Sequence, residues 1–333
     1  MNYCIIFVLP AFISLSFSQE SKGKLRFVVL GDFGGIPVRP YSRWSQRLVS
    51  KKISEIPNVN FFVTTGDNFY FRGVNHVDDF RFFATYERIY SYPSLQKKWY
   101  VVAGNHDYYG NVSAQILYTQ KSNRWTFPHF YHTKVFSIPE SNKTLQIILI
   151  DTMSLCFTRI PKRKNAPSAE TQMEWIKNTL NESKSDYLIV VGHHPMFSAG
   201  RHGNNKCLQG KLQNLFKHHK VNAYISGHDH NLQHIVPENS SLEHFVCGSS
   251  NFFHDWQINR PFLEPNSLKT FIGNYPGFLL ATAKDDRLKF ELRTIKPKQK
   301  YKRLLQPRSK LHEFTDGKYS KLLEDFFKSL QHN

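Results

Sequence analysis

Cysteine is scarce: the 333-residue chain has four, and one of them, Cys4, falls in an apolar N-terminal run. So few rule out a scaffold stapled by many disulfides. The other three, Cys156, Cys207 and Cys247, allow at most one bridge and leave one thiol over. Acidic residues are also short, at 26 against 44 Lys and Arg, for a formal net charge of +18. That deficit favours anionic partners, whether phosphorylated substrate, glycan, nucleic acid or membrane surface, without choosing among them. Beyond the N-terminus no apolar run is long enough to span a bilayer. Internal repeats and low-complexity linkers are absent too, which excludes solenoids and tethered modules.

What is present is a globular composition. Hydrophobic residues make up 40% and aromatics 15%, with 28 phenylalanines. The length suits one large domain or two ordinary ones. The N-terminus reads MNYCIIFVLPAFISLSFSQE: almost continuously apolar from 4 to 15, broken by Pro10, with small residues at Ser16 and Ser18. Residues 1–18 are therefore expected to be a signal peptide cleaved near Ser18, leaving no membrane span and a secreted or lysosomal protein. Four sequons, at Asn111, Asn142, Asn181 and Asn239, are the expected glycosylation sites.

Short β-rich runs recur at 25–30, 60–65, 99–103, 145–150, 186–191 and 222–226, and again at 277–283 and 287–295. Helical periodicity marks 41–55, 78–90, 169–180 and 209–219. Strands apolar on both faces, alternating with helices, imply an α/β fold with a sheet covered by helices on each side. One domain is expected over 22–308. Residues 309–333 form a basic amphipathic extension, with Leu322, Leu323, Phe326 and Phe327 near one face of a helix expected to dock on its own domain.

Five of the strands end alike. They run into Gly31-Asp32, Gly66-Asp67, Gly104-Asn105-His106, Gly192-His193 and Gly227-His228-Asp229-His230. Each glycine lets the backbone turn sharply and bring the next side chain to a shared centre. In open α/β sheets, ligands bind beyond the carboxyl ends of strands, and all five motifs are expected at the end of one sheet. Singly each is a common turn. Together they supply carboxylates, imidazoles, an amide and a phenol, but no thiolate. That set argues against an iron–sulfur or structural zinc site, and it exceeds what one tetrahedral ion needs. Two cations close together suit hydrolysis of a phosphate ester.

The pattern D…GDxxY…GNHD…H…GHxH resembles the metallophosphoesterase superfamily. The tyrosine in GDNFY resembles the purple acid phosphatases, and GDFGG, AGNHDYYGNVSAQ, GHHP and GHDHNLQ resemble their small, tartrate-resistant animal type over residues 24–305. The resemblance implies a four-layer sandwich, two mixed β-sheets flanked by helices. It implies an acid phosphatase for phosphate monoesters with a metal-bound hydroxide as nucleophile. Iron(III) would take Asp32, Tyr70 and His230, iron(II) or zinc would take Asn105, His193 and His228, and Asp67 would bridge them. His106 would contact substrate and protonate the leaving oxygen, with His202 as a second active-site histidine. Asp107 and Asp229 would orient the ligands. A tyrosine phenolate on iron(III) would give the family's purple colour. Cys156 and Cys207 match a family disulfide, leaving Cys247 as a buried thiol. A monomer is expected.

Three features depart from the pattern, one being the tail beyond about 308, which exceeds the family's usual end. Phe33 stands where the family has tryptophan, beside the unchanged Asp32. The stretch 157–168, FTRIPKRKNAPS, is short and basic where the mammalian loop is longer and acidic, so control by cleavage of that loop is not expected here. Three other readings stand beside the phosphatase. A phosphodiesterase or nuclease of the same superfamily would suit the basic charge. A secreted protein binding anionic glycan surfaces or nucleic acid would use the run 296–310, where Tyr301 is interleaved among Lys and Arg. An iron couple could also generate reactive oxygen, which the resemblance allows and the residues do not weigh.

Overall fold

A computed structural model describes residues 23–157, 166–238 and 240–311, together with residues 321, 323–325 and 328. The signal peptide, Asn239, most of 157–168 and most of the C-terminal extension lie outside the described residues.

Fourteen strands form two seven-stranded sheets. In chain order the first half comprises β1 Leu25–Leu30, β2 Phe61–Thr64, β3 Trp99–Tyr100, β4 Trp125–Thr126, β5 His132–Ser137, β6 Thr144–Leu149 and β7 Tyr187–Val191. The second half comprises β8 Ala223–Ser226, β9 Leu232–Ile235, β10 Glu243–Cys247, β11 Leu268–Ile272, β12 Gly277–Ala283, β13 Leu288–Thr294 and β14 Lys300–Leu305. The first sheet runs β14-β13-β12-β1-β2-β3-β4, and the second β11-β9-β10-β8-β7-β6-β5. Both are mixed: β1, β2, β3 and β4 are parallel neighbours, and β12 joins β1 antiparallel. In the second sheet β6, β7, β8 and β10 run parallel.

The strands are apolar on both faces because each face meets a different layer. Phe27 and Val29 of β1 belong to a core shared with Leu145, Ile147, Leu149, Ile189 and Val191 of the second sheet. The Phe61 ring stacks on Phe27 at 5.0 Å and on Phe136 of β5 at 4.0 Å, tying the sheets together. Val28 and Leu30, one residue out of step, face the other way onto Val49 and Ile53 of α1 (Trp44–Ser54). The helix α2 (Asn105–Tyr108) opens where β3 leaves off, and α3 (Val112–Leu117) follows, capped by Asn111, whose side chain accepts from the Ala114 N–H. On the far side, α4 (Thr152–Cys156) leads to α5 (Ala169–Glu182), whose Ile176 and Leu180 meet Ile148, Leu188 and Val190. Leu323 of the C-terminal extension is buried in this last cluster.

The helix–sheet–sheet–helix order is the four-layer sandwich that the resemblance implies. It corrects the reading from the residues alone, a single sheet with helices on each side. A strand apolar on both faces does not distinguish a covering helix from a covering sheet. The periodic stretches 78–90 and 209–219 hold wider, π-type turns at Phe82–Glu87 and Gln209–Gln213. Cys156 and Cys207 form a disulfide, and Cys247 is a buried free thiol. Asn111, Asn142 and Asn181 are exposed. No helix among the described residues is long and apolar enough to cross a membrane.

Candidate metal centre

The five glycine-ended strands converge, but from two sheets. β1, β2 and β3 deliver Asp32, Asp67 and Asn105, while β7 and β8 deliver His193 and His228. The expectation of one sheet is corrected: sheet membership is set by long-range pairing, which the local motif does not carry. Three of these residues have left-handed backbone, Asp32 and Asp67 at φ 53° and His228 at φ 67°. Such a conformation costs a non-glycine residue on the order of 1 kcal/mol or more, and the surrounding fold holds it. The glycines give room. A Cβ on Gly104 would lie 2.2 Å from Asp67 Oδ1, and one on Gly227 would lie 2.4 Å from Asp32 Oδ2.

Two groups of donor atoms result. In the first, the Tyr70 hydroxyl lies 3.0 Å from Asp32 Oδ1, 3.0 Å from Asp67 Oδ2 and 3.1 Å from His230 Nε2. One O–H can serve only one of these three acceptors. In the second, His193 Nε2 lies 2.9 Å from Asn105 Oδ1, 3.2 Å from His228 Nδ1 and 3.5 Å from Asp67 Oδ1. His193 Nδ1 is 2.8 Å from the Thr65 carbonyl, which can only accept, so Nδ1 carries the proton. In the neutral ring Nε2 then presents a lone pair to two oxygens. Buried acceptors facing one another at about 3 Å are what cations of ordinary metal–ligand distance would hold together. The donor set fits two metal ions, with Asp67 giving one oxygen to each group.

Burial pushes the Asp32 carboxyl and the Tyr70 phenol up, and pushes His228 down. Burial likewise brings His230 down to about 4. Each shift moves a group toward its neutral form, the ordinary response of an ionisable group to burial.

His106 sits at the rim. Its backbone N–H donates to Asp67 Oδ1 at 2.9 Å, its Nδ1 donates to the Phe71 carbonyl at 2.7 Å, and its Nε2 lies 4.0 Å from Asp67 Oδ2. The His202 ring lies 4.0 Å from that of His228, held by its backbone N–H on Asp229 Oδ1 at 3.0 Å. Asp107 accepts from the Gly104, Asn68 and Phe69 backbone N–H groups and from Gln115, clamping two motif loops together. Asp229 accepts from the Ser198 hydroxyl.

Sequence reasoning passed over His194 and Phe252. His194 has a ring nitrogen within 4.8 Å of donor atoms of His193 and His228, and its Nδ1 is 2.8 Å from Thr152 Oγ1. The doublet in GHHP was its only signal. Phe252 stacks on His230 at 5.4 Å and lies 4.5 Å from the Tyr70 ring. Nothing local marks that phenylalanine.

Comparison with known proteins bears directly on this arrangement. Residues 25–232 match the family model described as calcineurin-like phosphoesterase. Tartrate-resistant acid phosphatase type 5 of Oryctolagus cuniculus is 40% identical over 262 residues, covering 75% of this chain and 80% of the relative. The Homo sapiens protein of that name is 39% identical, covering 74% and 79%. Purple acid phosphatase 17 of Arabidopsis thaliana is 32% identical, covering 79% and 78%. Among solved structures, purple acid phosphatase PPD1 from yellow lupin shares the fold with a TM-score of 0.61 at 16% identity, covering 84% of this chain and 54% of that one. GAP50, the anchor in the inner membrane complex of Plasmodium, superposes with a TM-score of 0.75 at 25% identity, covering 88% and 91%. The purple acid phosphatase relatives imply a dinuclear metal centre. By descent as well as by fold, the chain belongs to the purple acid phosphatases, alongside the tartrate-resistant animal enzymes, and is a hydrolase of the acid phosphatase type.

Proposed function

We propose that this acid phosphatase hydrolyses phosphate monoesters at a centre in which Asp32, Tyr70 and His230 hold iron(III), Asn105, His193 and His228 hold iron(II) or zinc, and Asp67 bridges the two. One observation carries the assignment: the two carboxylate oxygens of Asp67 face different donor groups, Oδ2 at 3.0 Å from the Tyr70 hydroxyl and Oδ1 at 3.5 Å from His193 Nε2. When bound, the cations would neutralise phosphate oxygens and acidify the attacking water.

The chain's own side chains do the rest. His106 is fixed at both Nδ1 and its backbone N–H, which leaves Nε2 to carry a proton to the departing alkoxide or phenoxide oxygen. His202, anchored through Asp229, stands at the His228 side of the cleft, where it can contact the substrate. The amide of Asn105 is an uncharged ligand, so it removes less positive charge from its ion than a carboxylate would. Tyr70, buried against Phe252 and His106, is kept from water by aromatic neighbours. The Cys156–Cys207 disulfide supports a route through an oxidising, secretory compartment, ending outside the cell or in lysosomes.

The test is hydrolysis of an aryl phosphate against pH, with a phosphodiester alongside and Asp67→Asn as control. Monoester turnover peaking below neutral, lost in the variant, is expected. Preference for the diester would overturn the reading in favour of the diesterase.

A further inference from the structure

The outer face of the first sheet is not covered evenly. α1 packs on β1, while β14 carries its outer side chains into solvent and Lys289 and Arg293 of β13 are half-buried. Cross-strand register aligns Arg26, Thr282, Lys289 and Leu304 in one row, and Leu280, Glu291 and Lys302 in the next. A groove of about 520 Å³ runs over this face, and six of its eight lining residues are Lys or Arg. A second groove of about 430 Å³ shares Arg26 and adds Lys52, Arg293, Lys296 and Lys300, with Glu55 as its acid. Glu291 lies beneath, 3.0 Å from both Lys289 and Arg293 and 4.0 Å from Lys302, one carboxylate under three cations.

Edge protection explains part of this. Lysines on an edge strand discourage pairing with other chains, and β14 is an edge. Lys289 and Arg293 are on β13, inside the sheet, and Arg26 is on β1, two strands further in. Their alignment makes a charged face, not a charged edge.

We propose that this face binds a linear sulfated polysaccharide. Charge complementarity sets the class: a flexible chain with closely spaced anionic groups can lie along the grooves, which extend roughly 30 Å from Arg287 to Lys296 at strand rise. Two further observations select among polyanions. The larger groove offers no aromatic ring for bases to stack on, Phe278 in the second is buried, and Leu304 is the larger groove's one large apolar lining residue, too little to enter a bilayer. The Cys156–Cys207 disulfide belongs to an oxidising compartment, where sulfated glycans occur. The larger groove, on which the charge is densest, is also remote from catalysis, whereas Arg293 of the second is level with Leu30. Lys24 and Arg26 lie at the start of β1 and Asp32 just past its end, roughly 20 Å away. The enzyme can therefore be held on a glycan with its metal centre open.

The experiment measures binding of the full mature protein to a size-defined heparin oligosaccharide across a salt series. The triple variant Lys284→Gln/Lys289→Gln/Lys302→Gln is compared with a charge-matched set at exposed positions elsewhere, Lys97→Gln/Lys98→Gln/Lys134→Gln. Roughly tenfold or greater weakening in the first set, a shallower salt dependence, and near-native affinity in the control support the site. Unchanged kcat/KM for an aryl phosphate in the first set, with heparin bound or absent, supports its separation from the metal centre. Equal weakening in both sets, or none in the first, overturns the proposal. Tighter groove-dependent binding to single-stranded DNA or to phosphatidylserine vesicles than to heparin overturns the choice of partner. Because binding is read apart from turnover, its failure is distinguishable from failure of the phosphatase reading.

Discussion

Gly104→Ala perturbs the centre without replacing any proposed ligand. Gly104 has φ −108° and ψ −178°, a conformation any residue adopts, so alanine brings no backbone strain. Its methyl carbon, however, would lie 2.2 Å from Asp67 Oδ1, 2.4 Å from the Asp67 nitrogen and 2.8 Å from His193 Cε1. Ordinary contact begins at 3.4 Å, so the bridging carboxylate and its backbone must retreat by about 1 Å. Overpacking of this kind costs about 1–3 kcal/mol of stability. A displacement of about 1 Å at reacting groups costs about 100-fold in rate. The assay is metal content per chain, with kcat and KM for an aryl phosphate and a melting curve, against Gly210→Ala, whose added carbon meets nothing within 4 Å. The expected variant melts as a folded protein, holds less metal and turns over about 100-fold more slowly. Native metal content with native kcat would refute the argument that Asp67 must occupy this position.

Replacing Cys156 and Cys207 by alanine opens a link spanning 51 residues, which loop-closure entropy values at about 4 kcal/mol. At about 2 cal/mol/K per residue this lowers Tm by about 6 °C, and a shift below about 1 °C would count against it. His244 is buried, neither ring nitrogen has a hydrogen-bond partner among the described residues, and burial pulls its pKa down to about 3. The unfolded chain then binds more protons, so stability falls as pH drops from about 6.5 toward 3. His244→Phe should flatten the Tm profile between about pH 7.5 and 4.5, and an unchanged slope would exclude the histidine as a source. Tyr70→Phe should remove the visible charge-transfer band of the iron-loaded enzyme, whereas retained colour would refute that ligand.

The site was more legible than the architecture. Gly31-Asp32 and Gly227-His228 announce themselves because a sharp turn and a ligand are adjacent in the chain. Their arrival from different sheets depends on which strands pair, and Leu30 and Val191 look alike in that respect. β14 was hidden because Lys300, Lys302 and Arg303 read as a solvated run, although Leu292 of β13 sits opposite Tyr301 in register. Likewise His194 was masked by its neighbour: two adjacent histidines give no clue that both rings turn toward His228.

Each donor group draws its proposed ligands from both sheets: Asp32, Asp67 and Tyr70 from one side meet His230 from the other, and Asn105 meets His193 and His228. The gap between the sheets thus works as a ruler for the active centre. Phe61, stacked between Phe27 and Phe136 at the opposite end of β2 from Asp67, is one of its graduations. Trimming it would leave a cavity into which the sheets relax in part, and would shift the spacing of the proposed ligands. Evolution could tune Lewis acidity here by resizing a greasy wedge, leaving every coordinating residue as it stands.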